Sequence, residues 1–166
     1  MATSTHQSFT KKSSIDSYEK GRLFEEHIIS LFNKRHFKVL EWNKAERDSE
    51  LWTSGNLSDP DLKLMFSRSK NYQFAVECKW RKRFYGEKIN WAKPHHIERY
   101  IEFARKKRIR VFIVIGIGGT PENPNELYVT PLDYIKYSTS VKRSDLPYNR
   151  KPTRRFFYNT VQLLLY

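Results

Sequence analysis

The first apolar stripe along the chain is Phe24, Ile28, Leu31 and Phe32. That spacing predicts a helix that starts near Asp16 or Ser17, either of which can cap free N–H groups, and runs to about Arg35. At about 100° per residue, Gly21 falls inside the stripe and Glu25 at its edge, while Glu26 points away. Glycine there costs about 1 kcal/mol of helix propensity relative to alanine, which close approach by another group would offset. Residues 36–42 read as a strand, with Phe37, Val39 and Glu41 alternating against Lys38, Leu40 and Trp42. Residues 43–58 are polar and irregular, a long loop of the kind that is often functional.

Residues 62–66 and 72–80 read as two further strands joined by a turn at 67–71, hence an antiparallel hairpin. Pro94 opens a second helix at the position where its missing N–H does no harm. Ile97, Tyr100, Ile101 and Ala104 form that helix's apolar stripe, and its basic last turn, residues 105–108, suits the negative end of a helix dipole. Residues 111–117 are almost continuously apolar, the mark of a strand buried on both faces. Gly118 and Gly119 end that run, and five of the seven prolines punctuate the remainder of the chain. A short strand is expected at 126–130, and edge strands at 156–158 and 161–165. The pattern predicts an α/β fold, a single domain with a central mixed β-sheet flanked by helices. Residues 1–14, rich in Ser, Thr and Lys, are expected to be a mobile tail ahead of a domain spanning 15–166.

Composition agrees with such a domain. Of 166 residues, 39% are hydrophobic and 15% aromatic, which suffices for a modest core and argues against wholesale disorder. One cysteine forms neither an internal disulfide nor a cysteine-built zinc site. No apolar run approaches the roughly 18 residues of a membrane span, and the first residues hold no signal-peptide stretch. A soluble cytoplasmic protein is expected. Charge changes the picture further: 31 Lys and Arg against 18 Asp and Glu leave a net +13. Residues 79–88, 94–110 and 141–155 account for all of that excess. A polyanion is the natural partner of such clustering, nucleic acid first; a solvated basic face is the plain alternative. Membrane-surface binding would need a broad apolar helical face that these segments lack.

The strand at 72–80 carries the candidate chemistry. Period-two alternation puts Phe74, Val76, Cys78 and Trp80 on an apolar face and Ala75, Glu77 and Lys79 on the other. Glu77 and Lys79 are then about 7 Å apart along the strand. Asp61, held in place by Pro60, opens the neighbouring strand close across the hairpin. Two carboxylates in a partly dry site repel unless a cation neutralises them, and such hard oxygen ligands suit Mg²⁺ or Mn²⁺. A lysine beside them on a basic protein points to a phosphodiester substrate. A cross-strand ion pair is the plain alternative for Glu77 and Lys79.

Gly21-x-x-x-Glu25 on the first helix, Pro60-Asp61 ahead of the second strand and Glu77-Cys78-Lys79 on the third, followed by a helix and a buried strand, resemble the PD-(D/E)XK nuclease superfamily. The resemblance covers residues 17–117 and leaves 118–166 as a basic, proline-punctuated extension. It implies a restriction-endonuclease-like core in the order α-β-β-β-α-β. It also implies that Asp61 and Glu77 bind the divalent metal together with the Cys78 backbone carbonyl, that Lys79 is catalytic, and that Glu25 helps hold metal or water. His96 and Arg99 are the candidates for the polar residue that many members carry on the following helix.

Other residues fall in place around that core. Arg81, Lys82 and Arg83 follow Lys79 directly and, with Arg99, are expected to contact phosphates. Trp80, Phe84, Tyr85 and Trp91 suit either base stacking or packing. Adjacent His95 and His96 diverge by about 100° on a helix, which disfavours them as a ligand pair. The glycines at 116, 118 and 119 lack the helix opening of a dinucleotide fingerprint and read as a strand exit. The expected function is Mg²⁺-dependent hydrolysis of nucleic-acid phosphodiester bonds, with Mn²⁺ as a substitute. A DNA endonuclease is favoured over an RNA enzyme, acting alone, as a homodimer or within a larger complex. The alternatives are a catalytically silent nucleic-acid-binding module of the same fold and a basic protein that docks an acidic partner.

Overall fold

The computed structural model describes residues 16–43, 59–68, 71–146, 149–160, 162 and 164–166. The tail expected at 1–14 and the loop expected at 43–58, Asn43 apart, lie outside the described residues. Helix α1 (Ser17–Ser30) begins where Asp16 accepts the Glu19 N–H at 2.7 Å. It ends sooner than the stripe suggests. The Asn33 carbonyl accepts the N–H groups of both His36 and Phe37, and this turn leads into β1 (Phe37–Trp42). Leu31 and Phe32 stay buried without being helical.

Strand β2 (Leu62–Ser67) runs antiparallel to β1 and to β3 (Asn71–Arg81), forming the expected hairpin. Alternation in β1 breaks at Leu40: Val39 pairs with Leu64, but Glu41 pairs with Lys63 and Trp42 with Leu62. One extra residue in β1 flips the parity beyond it. Trp42, expected opposite the apolar face, therefore packs on the core, and Glu41 turns outward to an ion pair with Lys63 at 2.9 Å.

After β3 come a short strand β4 (Lys88–Asn90) and helix α2 (Pro94–Lys107), with Pro94 in its first turn. Arg108 ends α2 in the left-handed region, at φ 54°. The face that α2 buries is Ile97, Tyr100 and Phe103, and Ile101 is 38% exposed. That corrects the expected stripe: the buried face centres on Tyr100, from which Ile101 lies about 100° round the helix. Strand β5 (Arg110–Ile117) is the buried strand and runs parallel to β3.

The extension is part of the sheet. Strand β6 (Glu126–Pro131) pairs antiparallel with β5, and β8 (Asn149–Arg150) pairs with β6. Between them lie a helical turn, α3 (Leu132–Ile135), and β7 (Ser140–Lys142), which pairs with β4. The result is a six-stranded mixed sheet in the order β1-β2-β3-β5-β6-β8. The segments expected as edge strands instead pair with each other, as β9 (Tyr158–Asn159) and β10 (Leu164–Leu165).

Two cores sandwich the sheet. On one face α1 packs Phe24 and Ile28 against Leu62, Leu64, Phe74, Val76 and Val114. Gly116 permits this, because a Cβ there would meet the Phe24 ring at 2.5 Å. Residues 156–160 return to cover the same face: Phe156 stacks on Phe32 with ring centres 4.4 Å apart, and Tyr158 on Phe74 at 4.9 Å. On the other face α2 covers Ala75, Ile113 and Ile115, with Ile89 and Trp91 fully buried beside it. No helix among the described residues is long and apolar enough to cross a membrane.

Candidate active site

The hairpin register puts Leu62 opposite Val76, so Asp61, one residue earlier, stands beside Glu77. Two hydrogen bonds lock the pair together. The Asp61 N–H donates to Glu77 Oε2 at 3.3 Å, and the Cys78 N–H donates to Asp61 Oδ2 at 2.7 Å. The N–H and C=O of one strand residue point to the same side, so the Cys78 carbonyl also faces the Asp61 side. Glu77 is 3% exposed, and Thr130 is the only other buried polar residue among those described. Its Oε1 accepts a hydrogen bond from the Tyr100 hydroxyl at 2.6 Å and forms an ion pair with Lys79. Tyr100 reaches it from α2, which places Glu77 and Lys79 on the α2 face as the alternation predicts.

Glu25 approaches from α1. Its Oε2 accepts the indole N–H of Trp42 at 2.7 Å, a contact that the β1 bulge makes possible. Burial raises the Glu25 acid; the Trp42 bond opposes this and the Glu77 charge adds to it. Asp61 is pushed well above the usual carboxylate range, first by burial and then by the charge of Glu77. Burial alone would lower the Lys79 ammonium, but the charges of Glu77 and Asp61 outweigh it and hold its proton more tightly. The Cys78 thiol, buried as its parity requires, is pushed well above its ordinary value by desolvation. That argues against a thiolate nucleophile.

Burial first, and then the charge of Glu77, thus disfavour the ionised form of both Glu25 and Asp61. Among the described residues no three carboxylate, imidazole or thiol groups form a ready-made metal cage. Asp61, Glu77 and the Cys78 carbonyl are instead a sparse set of hard oxygens. Such a set fits an ion that keeps several waters and takes one or two carboxylates, as Mg²⁺ does.

No family model and no curated protein sequence matches this chain. Among solved structures it is similar to Archaeoglobus fulgidus Hjc, a Holliday junction resolvase from an archaeal hyperthermophile. Identity is 14%, the TM-score is 0.52, and the match covers 80% of this chain and 95% of that one. The fold is resolvase-like.

Within this resolvase-like fold, the sequence-predicted basic residues take different places. Arg81 is half-buried, and its guanidinium donates to the carbonyls of Trp80, Asn90 and Trp91. It braces β3 against β4 and the residue that follows it. Lys82 and Arg83 are exposed, and Arg83 lies over the Tyr85 ring at 5.6 Å. Arg99 lies on α2, one residue before Tyr100. His96 lines a cavity of about 640 Å³ together with Lys79, Arg81, Trp91 and Lys93. Burial and then the Arg99 charge lower its imidazole.

Of the candidate stacking rings, Trp91 is fully buried with its N–H on the Ser138 carbonyl, and Phe84 packs edge-on against Tyr128. Trp80 is partly buried and donates to the Gly118 carbonyl. Only Tyr85, 72% exposed, is offered to solvent. Sequence reasoning missed Tyr100 and Trp42 as site residues. Tyr100 sits on an apolar helical stripe that accounts for its ring, and strand alternation assigns Trp42 to the wrong face, so nothing in the pattern marks the polar atom of either.

Proposed function

We propose that the chain is a divalent-metal-dependent nuclease that hydrolyses DNA phosphodiester bonds internally. The observation that carries this reading is Asp61 locked beside buried Glu77, with Lys79 paired to Glu77 on the same strand, in a strongly basic resolvase-like fold. Asp61, Glu77 and the Cys78 carbonyl would hold Mg²⁺ or Mn²⁺. The ion, when bound, supplies a Lewis acid for the phosphoryl oxygen and lowers the pKa of an attacking water. Lys79 presents a fixed positive charge where charge builds on the phosphorane. Glu25, oriented by Trp42, orients water from the α1 side. Lys82 and Arg83 hold flanking phosphates, which position the strand without reading its sequence. A solved structural neighbour is a Holliday junction resolvase, which makes branched DNA the first substrate to offer. A homodimer would supply one such site for each of two strands.

The test is a panel of four-way junction, duplex, single-stranded DNA and RNA, each with Mg²⁺, Mn²⁺ or EDTA. Wild-type protein is expected to cut at least one DNA in a metal-dependent way. Asp61→Asn is expected to abolish cutting, and Lys79→Met to slow it by about 10²–10³-fold, with folding intact. Salt-sensitive DNA binding with no cleavage by the wild type would overturn the enzyme reading and leave a nucleic-acid-binding module.

A further inference from the structure

Gly21 is the residue of α1 that the fold leaves unexplained. It lies inside a 14-residue helix, where glycine is the least favourable residue after proline. It has no left-handed φ that would require glycine. Leaving aside its two chain neighbours and the helix's own backbone, no described atom lies within 4 Å of the point its Cβ would occupy. The close approach expected from the sequence is therefore absent from the described fold. Gly21 opens instead onto a cavity of about 180 Å³ walled by Ser17, Tyr18, Glu25, Asn43 and Asp61. Gly21 and Glu25, four residues apart, lie on one face of the helix.

A second cavity lies on the other side of the site and holds Lys79. Asp61 thus borders one opening and Lys79 the other, and both are bonded to Glu77, Asp61 through its backbone N–H and Lys79 through its ammonium. A phosphodiester held between them has room for chain on both sides. The α1 opening is the smaller, sized for a sugar and its phosphate and not for a base pair. Its outer wall is the first turn of α1, where the hydroxyls of Ser17 and Tyr18 and the positive end of the helix dipole favour an anion.

We propose that the Gly21 cavity is a backbone subsite, which takes the sugar–phosphate unit adjoining the scissile phosphate on the α1 side. The missing Cβ is the clearance that lets the strand lie against the helix. This deepens the nuclease reading and rests on it.

Gly21→Ala and Gly21→Leu in the full chain test the subsite with three readouts: thermal midpoint, Mn²⁺ affinity by calorimetry, and affinity for fluorescein-labelled four-way junction and duplex in Ca²⁺. Gly21→Ala is expected to raise the midpoint by about 2–4 °C. Gly21→Leu is expected to bind Mn²⁺ like the wild type while losing about tenfold or more in DNA affinity and cutting correspondingly slowly. A lower midpoint for Gly21→Leu would mean that the chain itself fills the space, and loss of Mn²⁺ binding that the space belongs to the ion. Either result, or unchanged DNA affinity, overturns the subsite. If the wild type binds DNA without cutting, the nuclease reading fails alone. The binding arm then decides the subsite by the same tenfold criterion. A wild type that binds no nucleic acid removes both.

Discussion

Glu77 accepts hydrogen bonds from Lys79, from Tyr100 and from the Asp61 N–H, whereas the only side-chain bond described at Asp61 comes from the Cys78 N–H. The unequal support has a thermodynamic consequence. Asp61 holds its proton more tightly in the folded chain than in the unfolded one. Across the window above the usual carboxylate range the metal-free fold therefore binds more protons than the unfolded chain, and its stability falls as pH rises. Glu25, raised for the same first reason, adds to that slope. Asp61→Asn keeps an acceptor for the Cys78 N–H and removes the larger charge penalty. At neutral pH in EDTA it is expected to be more stable than the wild type. Denaturant titrations across pH check this; a wild type whose stability is flat through that window would refute the raised Asp61 acid. At this scale Asp61, Glu77 and Lys79 were legible in the sequence, because strand alternation and hairpin register decide their placement. Tyr100 was not, because an aromatic residue on a buried helical face is accounted for by its ring alone.

At the scale of elements, the bulge in β1 links a backbone irregularity to the site. Without the extra residue at Leu40, Glu41 would occupy the place of Trp42 and put a second carboxylate near Glu25. Trp42→Phe keeps a ring on the core and loses only the indole donor. It is expected to cost about 1.5 kcal/mol, the lower end for a hydrogen bond to a charged group, and to slow metal-dependent cleavage about tenfold. Equal cleavage rates for Trp42→Phe and wild type would show that Glu25 needs no orienting partner. The hairpin, the cap at Asp16, Pro94 and the buried strand at 111–117 were readable because each has a local cause. The bulge was not, since alternation assumes one residue per position. Nor were β4 and β7, three residues each, which pair across some 50 positions and leave too short a pattern to stand out.

Across the whole molecule, the basic clusters of the sequence are divided in space. Arg110, next to the basic turn that ends α2, pairs with Phe74, five strand residues before Lys79 and so about 17 Å from it along the strand. The lysines and arginines at 105–110 thus lie at the opposite end of the sheet from the site. Lys82 and Arg83 lie just beyond Lys79. If they contact phosphates, Lys82→Ala with Arg83→Ala is expected to flatten the slope of log K against log salt by about 1.8, at 0.9 per phosphate. Arg105→Ala with Lys106→Ala is expected to leave it nearly unchanged. Equal losses for the two pairs would mean that the whole basic surface acts as one diffuse field and that no path is marked on it.

The stacking of Phe156 and Tyr158 on Phe32 and Phe74 also bears on how the molecule comes into being. The N–H of Phe156 is bonded to the Leu31 carbonyl at 3.0 Å and the imidazole of His27 to the Pro152 carbonyl at 3.1 Å, so residues made early are sealed by residues made late. A nascent chain that has emerged only as far as β6 already has every residue of the candidate site, yet the aromatic face under α1 is still bare. Until Phe156 and Tyr158 dock, that face is open to chaperones and to other chains. Docking of this segment, rather than formation of the site itself, then separates a folded chain from an aggregation-prone one.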